Sequence, residues 1–241
     1  MMTDEWRGTS EETNILRNLY KQLDGVHGAV SDLLLARRGF IEVAKRLTEG
    51  VPASALARAT AGITYQSWIA VKIRCQLDTD NRSVSLARIL EELASHPYLL
   101  TRDRFIVRYV HNRHVNAPFK TTQWGAEEGK QFSLWAQEGD RRFDEIAGVG
   151  ALSLSEPVIR RDQSALCECA VTVRNFVNKQ VAHHDETGFE ARPVDGSLDA
   201  WLDLLGVDRC IDLIKSLLVK YWWLVHGNKP VGLSDTPDAT S

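Results

Sequence analysis

From Leu16 to Leu34 the chain places apolar residues three and four apart, at Leu16, Leu19, Tyr20, Leu23, Val26, Val30, Leu33 and Leu34, which spans about five helical turns. That period aligns one face of a helix, whereas a half-buried strand needs a period of two. No convincing alternating run occurs elsewhere in the 241 residues. Burial must therefore be solved helix against helix, and the expected fold class is all-α, an antiparallel helical bundle. The start is written locally: Thr9-Ser10-Glu11-Glu12 reads as a capping box, with Thr9 as cap and Glu12 reaching back. Gly25 and Gly28 weaken this helix without disturbing its period.

Further elements follow in order. Pro52 suits the first turn of a second helix, in which Leu56, Ala59, Ile63, Trp68, Val71 and Cys75 carry the pattern. Asp78 to Arg82 is a polar loop; Ser83 or Ser85 caps a third helix with Leu86, Ile89, Leu90 and Leu93 inside, stopping at His96-Pro97. The stretch around 98–150 differs in character and is expected to be an irregular, partly helical insertion. Its first part carries Arg102, Arg104, Arg108, Arg113 and Lys120 against one acid, Asp103. Arg104, Arg108 and Arg113 are the candidate phosphate-binding residues, with a solvated or salt-bridged surface as the alternative. Phe132, Trp135, Phe143 and Ile146 mark a helix from Lys130 to Ala147. Gly148-Val149-Gly150 closes it and is no phosphate loop, since it lacks the G-x-G-x-x-G spacing and follows no strand. Ser197 caps a final helix rich in large apolar residues, from Trp201 to Val225, closed by Gly227. Residues 228–241 are polar and Pro/Gly-containing, and a disordered tail is expected there. Nothing in the composition divides the chain, so residues 1–241 are expected to form a single domain.

Composition narrows the function classes. A net charge of -3 argues against a general polyanion binder, although Arg outnumbers Lys by 20 to 9 and basic groups can still gather on one face. Four scattered cysteines make no disulfide framework, and Cys167-Glu168-Cys169 lacks C-x-x-C spacing, so all four read as ordinary core residues. The histidines show no metal-site spacing; neither a metal nor a cofactor is expected. Met1 to Glu12 is polar and no apolar run reaches membrane-spanning length, which sets a cytoplasmic location and no membrane partner as the expectation.

Chemistry concentrates in residues 173–185, VRNFVNKQVAHHD, late in a helix-patterned run opening near Glu156-Pro157. On an ideal helix Leu166, Val173 and Val177 share one side, with Ala170 and Val181 close by. His183 then falls at the border of the apolar stripe with Lys179 one turn back, while His184 points inward as a core histidine. A neutral histidine can take a proton from a hydroxyl, and a neighbouring cation can stabilise charge on a phosphate, which is the minimum for metal-free RNA cleavage.

The run NKQVAHHD at the end of a long helix in an all-helical chain is similar to the motif of HEPN domains, the higher eukaryote and prokaryote nucleotide-binding superfamily. Residues 73–93, IRCQLDTDNRSVSLARILEEL, resemble a second block of its AbiU-like abortive-infection branch. The resemblance implies an HEPN-like bundle of a toxin or phage-defence type, acting on RNA or descended from proteins that did. Its alternative is a non-catalytic RNA- or protein-binding module. It further implies a homodimer that brings two motif helices together, and a cognate antitoxin or defence protein as partner. The motif carries over at Asn178, Lys179, His183 and Asp185: His183 as general base, Lys179 on phosphate, Asn178 orienting the pair. One departure stands out. Active members carry an Arg separated from the His by a few residues, and here Phe176, Val177 and Asn178 occupy those places. Arg104 with His111 and Arg108 with His114 match the Arg-to-His spacing formally, as chance allows in a chain with this many of both.

Overall fold

The computed structural model describes residues 9–49, 55–115, 126–177 and 204–233, and the described residues form an all-α helical bundle. The helices are α1 (Ser10–Glu49), α2 (Ala55–Cys75), α3 (Leu86–Ser95), α4 (Arg102–Val115), α5 (Ala126–Ala147), α6 (Glu156–Cys169), α7 (Val171–Phe176) and α8 (Leu204–His226), with a 3-10 turn at Pro97–Leu99. Central to them is the pair α1 and α8, against which α2, α3, α4 and α6 pack.

The capping box forms as its residue types dictate: Thr9 N–H donates to Glu12 Oε2 at 3.2 Å and Glu12 N–H to Thr9 Oγ1 at 3.2 Å. From there Leu19, Leu23, Val26, Val30 and Leu33 are fully buried, so the period of α1 marks its true inner face. In α3 Ser85 is the cap, accepting from Arg88 N–H at 3.1 Å, and Leu86, Ile89, Leu90 and Leu93 are all fully buried. α8 contributes Ile211, Ile214, Leu218, Tyr221 and Val225 to the same core.

Five features depart from expectation. In α2 the buried side is Gln66, Ile69, Ala70, Ile73 and, just past its end, Gln76, while Trp68, Val71 and Cys75 face outward. The helix is apolar around much of its circumference, so periodicity could not choose its face. Cys167 is exposed as well, leaving only Cys169 and Cys210 near the core.

The stretch around 98–150 is more regular than an insertion. Its described part is a helical hairpin, α4 against α5, whose seam is Phe105, Tyr109 and Phe143, with Phe105 and Phe143 ring centroids 5.6 Å apart. Its two roots are clasped by backbone bonds, Arg102 N–H to Leu152 O at 2.9 Å and Leu154 N–H to Leu100 O at 3.0 Å. Gly148, at φ 101°, turns the chain out of α5 in a conformation that a side chain disfavours.

The helix opening at Glu156 is not continuous. Ala170, at φ -93° and ψ 6°, separates α6 from α7. Finally, the first residues of the expected tail pack back: Leu233 is 5% exposed and His27 Nε2 lies 2.8 Å from Val231 O. Residues 234–241 lie outside the described residues, as do Ser197 and Trp201.

Candidate functional site

The approach to the motif is α6, the turn at Ala170, and α7. Leu166, Ala170, Val173 and Val177 are buried at 0, 0, 1 and 9% exposure, as the stripe expected from the sequence requires, and Ile159 at 0% extends it towards the start of α6. Arg174 and Asn175 face solvent. Phe176, which occupies one of the places of the family Arg, is 8% exposed and belongs to the core, because α2 packs against α7, so it offers no open edge to a second copy. Asn178, Lys179, His183 and Asp185 lie outside the described residues.

A polar node ties α6 to α8 below this point. Asp162 Oδ2 accepts from Tyr221 O–H at 2.7 Å and from Lys220 Nζ at 2.7 Å. Burial, and then the Asp162 carboxylate, push the Tyr221 hydroxyl far above its ordinary range, so it stays a neutral donor. The node satisfies a polar pair inside a mostly apolar contact and holds α6 in register on α8. Asp162 stands early in the helix-patterned run that opens near Glu156-Pro157, but nothing in the sequence connects it to Tyr221, 59 positions away.

The three arginines named as candidate phosphate-binding residues have separate partners. Arg104 Nη2 sits 3.2 and 3.3 Å from the two Glu12 carboxylate oxygens, which ties α4 to the capping box of α1. Arg113 donates to Tyr109 O–H at 2.9 Å and to Glu138 Oε1 at 3.2 Å, bridging α4 to α5 with half its side chain exposed.

Arg108 is 6% exposed. Its guanidinium donates to the carbonyls of Arg104, Val225 and Leu99, each at 3.0 Å, and so satisfies backbone acceptors at the end of α8 and in the 3-10 turn. Desolvation lowers its pKa, the direction expected of a cation held without a carboxylate bonded to it. Arg108 is thus an internal bridge. An arginine spaced as though on a surface face reads as a ligand-binding cation in sequence; only the arrival of α8 beside α4 turns that face inward.

Packed on the same junction, Gly227 at φ 72° ends α8, and a Cβ there would meet Arg108 C and Tyr109 N at 2.8 Å. Beside it Trp222 stacks on His226 at 4.1 Å, and Tyr20 O–H donates to Val225 O at 3.2 Å. Burial pulls the His226 pKa down to about 4, with His27 and Arg108 adding to that and Asp24 opposing it. This cluster is a neutral, aromatic helix end, suited to packing.

Among the described residues no group of three or more His, Cys, Asp or Glu is placed to hold a metal, and no helix is long and apolar enough to cross a membrane. An open groove of about 640 Å³ between α8 and residues 229–233 offers Lys215, Ser216 and Lys229 at its wall, which gives it positive charge but no acid-base pair. No protein-family model matches the chain, and no curated protein or solved structure is significantly similar to it.

Proposed function

We propose that the chain is an HEPN-like protein of the AbiU-related, toxin or phage-defence type, acting on RNA by metal-independent cleavage or descended from a nuclease that did. The observation that carries this reading is the run NKQVAHHD, beginning directly after a stripe of Leu166, Ala170, Val173 and Val177 that is committed to the bundle. In an active form His183 takes the 2'-hydroxyl proton, Lys179 neutralises phosphate and Asn178 orients the pair, with Asp185 the remaining motif position. The protein works as a homodimer, with a cognate antitoxin or defence protein as its cellular partner.

The test is incubation of the full chain with end-labelled single-stranded RNA in chelator, beside His183→Ala. Cleavage by the first and not by the second is expected. Equal cleavage by both, or none by either, overturns the enzymatic form.

A second reading, a binding module without cleavage, is favoured by one observation. The family Arg is absent, and, of the basic stretch that a second copy would bring to the motif, Arg108 is enclosed by carbonyls. Binding of the same RNA without cleavage, with affinity falling steeply as salt rises, supports this form. Salt-insensitive capture of a protein supports its protein-binding version.

A further inference from the structure

Cys169 is the last residue of α6, immediately before the turn at Ala170, and Cys210 lies in the second turn of α8. Their Sγ atoms are 2.9 Å apart, about 0.9 Å beyond the roughly 2.05 Å of a bonded pair. We propose that Cys169 and Cys210 form a reversible disulfide, a modification site that clamps the α6–α7 turn onto α8.

The two thiols differ in a way that assigns roles. Cys210 is buried and its thiol donates to the Cys169 carbonyl at 2.8 Å, so its proton is held. Burial, with the neighbouring sulfur, pushes the Cys210 pKa far up. Cys169 is half-buried and can meet an oxidant. With a small disulfide as oxidant, the Cys169 thiolate attacks one of its sulfurs; the oxidant's S–S bond breaks, a mixed disulfide forms, and one thiolate leaves. Cys210 then passes its proton to that leaving thiolate and attacks Cys169 Sγ. The protein S–S bond forms and the second thiol departs with a proton from solvent, replacing the one Cys169 gave up on ionising. Two protein thiols have lost two electrons and one small disulfide has gained them.

The position gives the bond its consequence. At the turn, Ala170 N–H bonds to Leu166 O at 3.3 Å and Arg174 N–H to Ala170 O at 2.8 Å, so Ala170 is the joint at which α7 leaves α6. A covalent tie one residue earlier restricts that angle and closes a loop across 41 positions of sequence. Formation of the bond is independent of the RNA reading.

The experiment treats the full chain with oxidised glutathione, blocks remaining thiols with iodoacetamide, and maps tryptic peptides without reduction. Cys167 and Cys169 share the peptide between Arg161 and Arg174, so fragmentation must separate them. The expected product joins Cys169 to Cys210, leaves Cys75 and Cys167 outside it, and melts at least about 5 °C higher than the reduced protein, a gain that dithiothreitol reverses. Cys169→Ser, at the half-buried position, should lose both the cross-link and the gain; Cys210→Ser serves as the second control. A Cys167–Cys169 bond, a lasting glutathione adduct on Cys169 beside a free Cys210, or disulfides only between molecules would each overturn the proposal.

Discussion

Arg108→Met separates an internal role for this arginine from a nucleic-acid role. Methionine keeps most of the buried stem and removes the fork, so the packing change is small. Val225 O keeps the Tyr20 hydroxyl at 3.2 Å, whereas Leu99 O loses the donor that reached it at 3.0 Å. A stranded buried carbonyl costs about 1–3 kcal/mol, and losing the charge-assisted bond to Val225 adds to it. Against this, the variant no longer buries a guanidinium bonded to carbonyls rather than to a carboxylate, which returns part of the loss. The net expectation is about 2 kcal/mol of destabilisation, or a melting temperature lower by roughly 4–8 °C for a chain of this size. Circular dichroism melts and urea midpoints read it directly. Nucleic-acid affinity, where present, should keep its salt slope once measured well below the melting temperature. A variant as stable as the parent, with a salt slope reduced by about one unit, would refute the reasoning and return Arg108 to the surface.

Gly227→Ala should cost roughly 3 kcal/mol, seen as an earlier urea midpoint, because it adds a left-handed backbone penalty to contact with the α4 backbone at 2.8 Å. Ser85→Ala removes the α3 cap bond to Arg88 N–H and should cost about 1 kcal/mol in the same assay. Phe176→Glu places a carboxylate at an 8% exposed position; a loss of at least about 3 kcal/mol is expected, and light scattering on folded protein shows whether assembly changes separately from stability. His226 titrates near pH 4 in the fold against 6.5 unfolded. Its folded pKa is the lower one, so the unfolded chain binds the proton first, and stability falls as pH drops from 6.5 towards 4. Melting curves across that window should show the fall, and His226→Gln should flatten it.

The helical class, the start of α1 at Thr9, the inner faces of α1 and α3, and the core stripe through Val173 and Val177 follow from sequence alone. Each rests on a one-sided apolar pattern or a cap whose partners lie within four residues, and such interactions need no distant element to specify them. The candidate motif is legible for the same reason: its polar groups are local in sequence beside a periodic stripe.

Tertiary structure decided what local pattern leaves degenerate. α2 has apolar residues on opposing sides, and only the positions of α1, α7 and α8 made Ile69 and Ile73 core while Trp68 stayed outside. The turn at Ala170 has neither Gly nor Pro to announce it. Arg108 and Arg104 look alike in sequence, four residues apart on one helix, but α8 ends against one and the first turn of α1 meets the other. The approach of Cys169 to Cys210 likewise exists only because α6 packs on α8. Burial, long-range pairing and covalent opportunity depend on which surfaces meet, and a chain read one residue after another carries the surfaces but not their meeting.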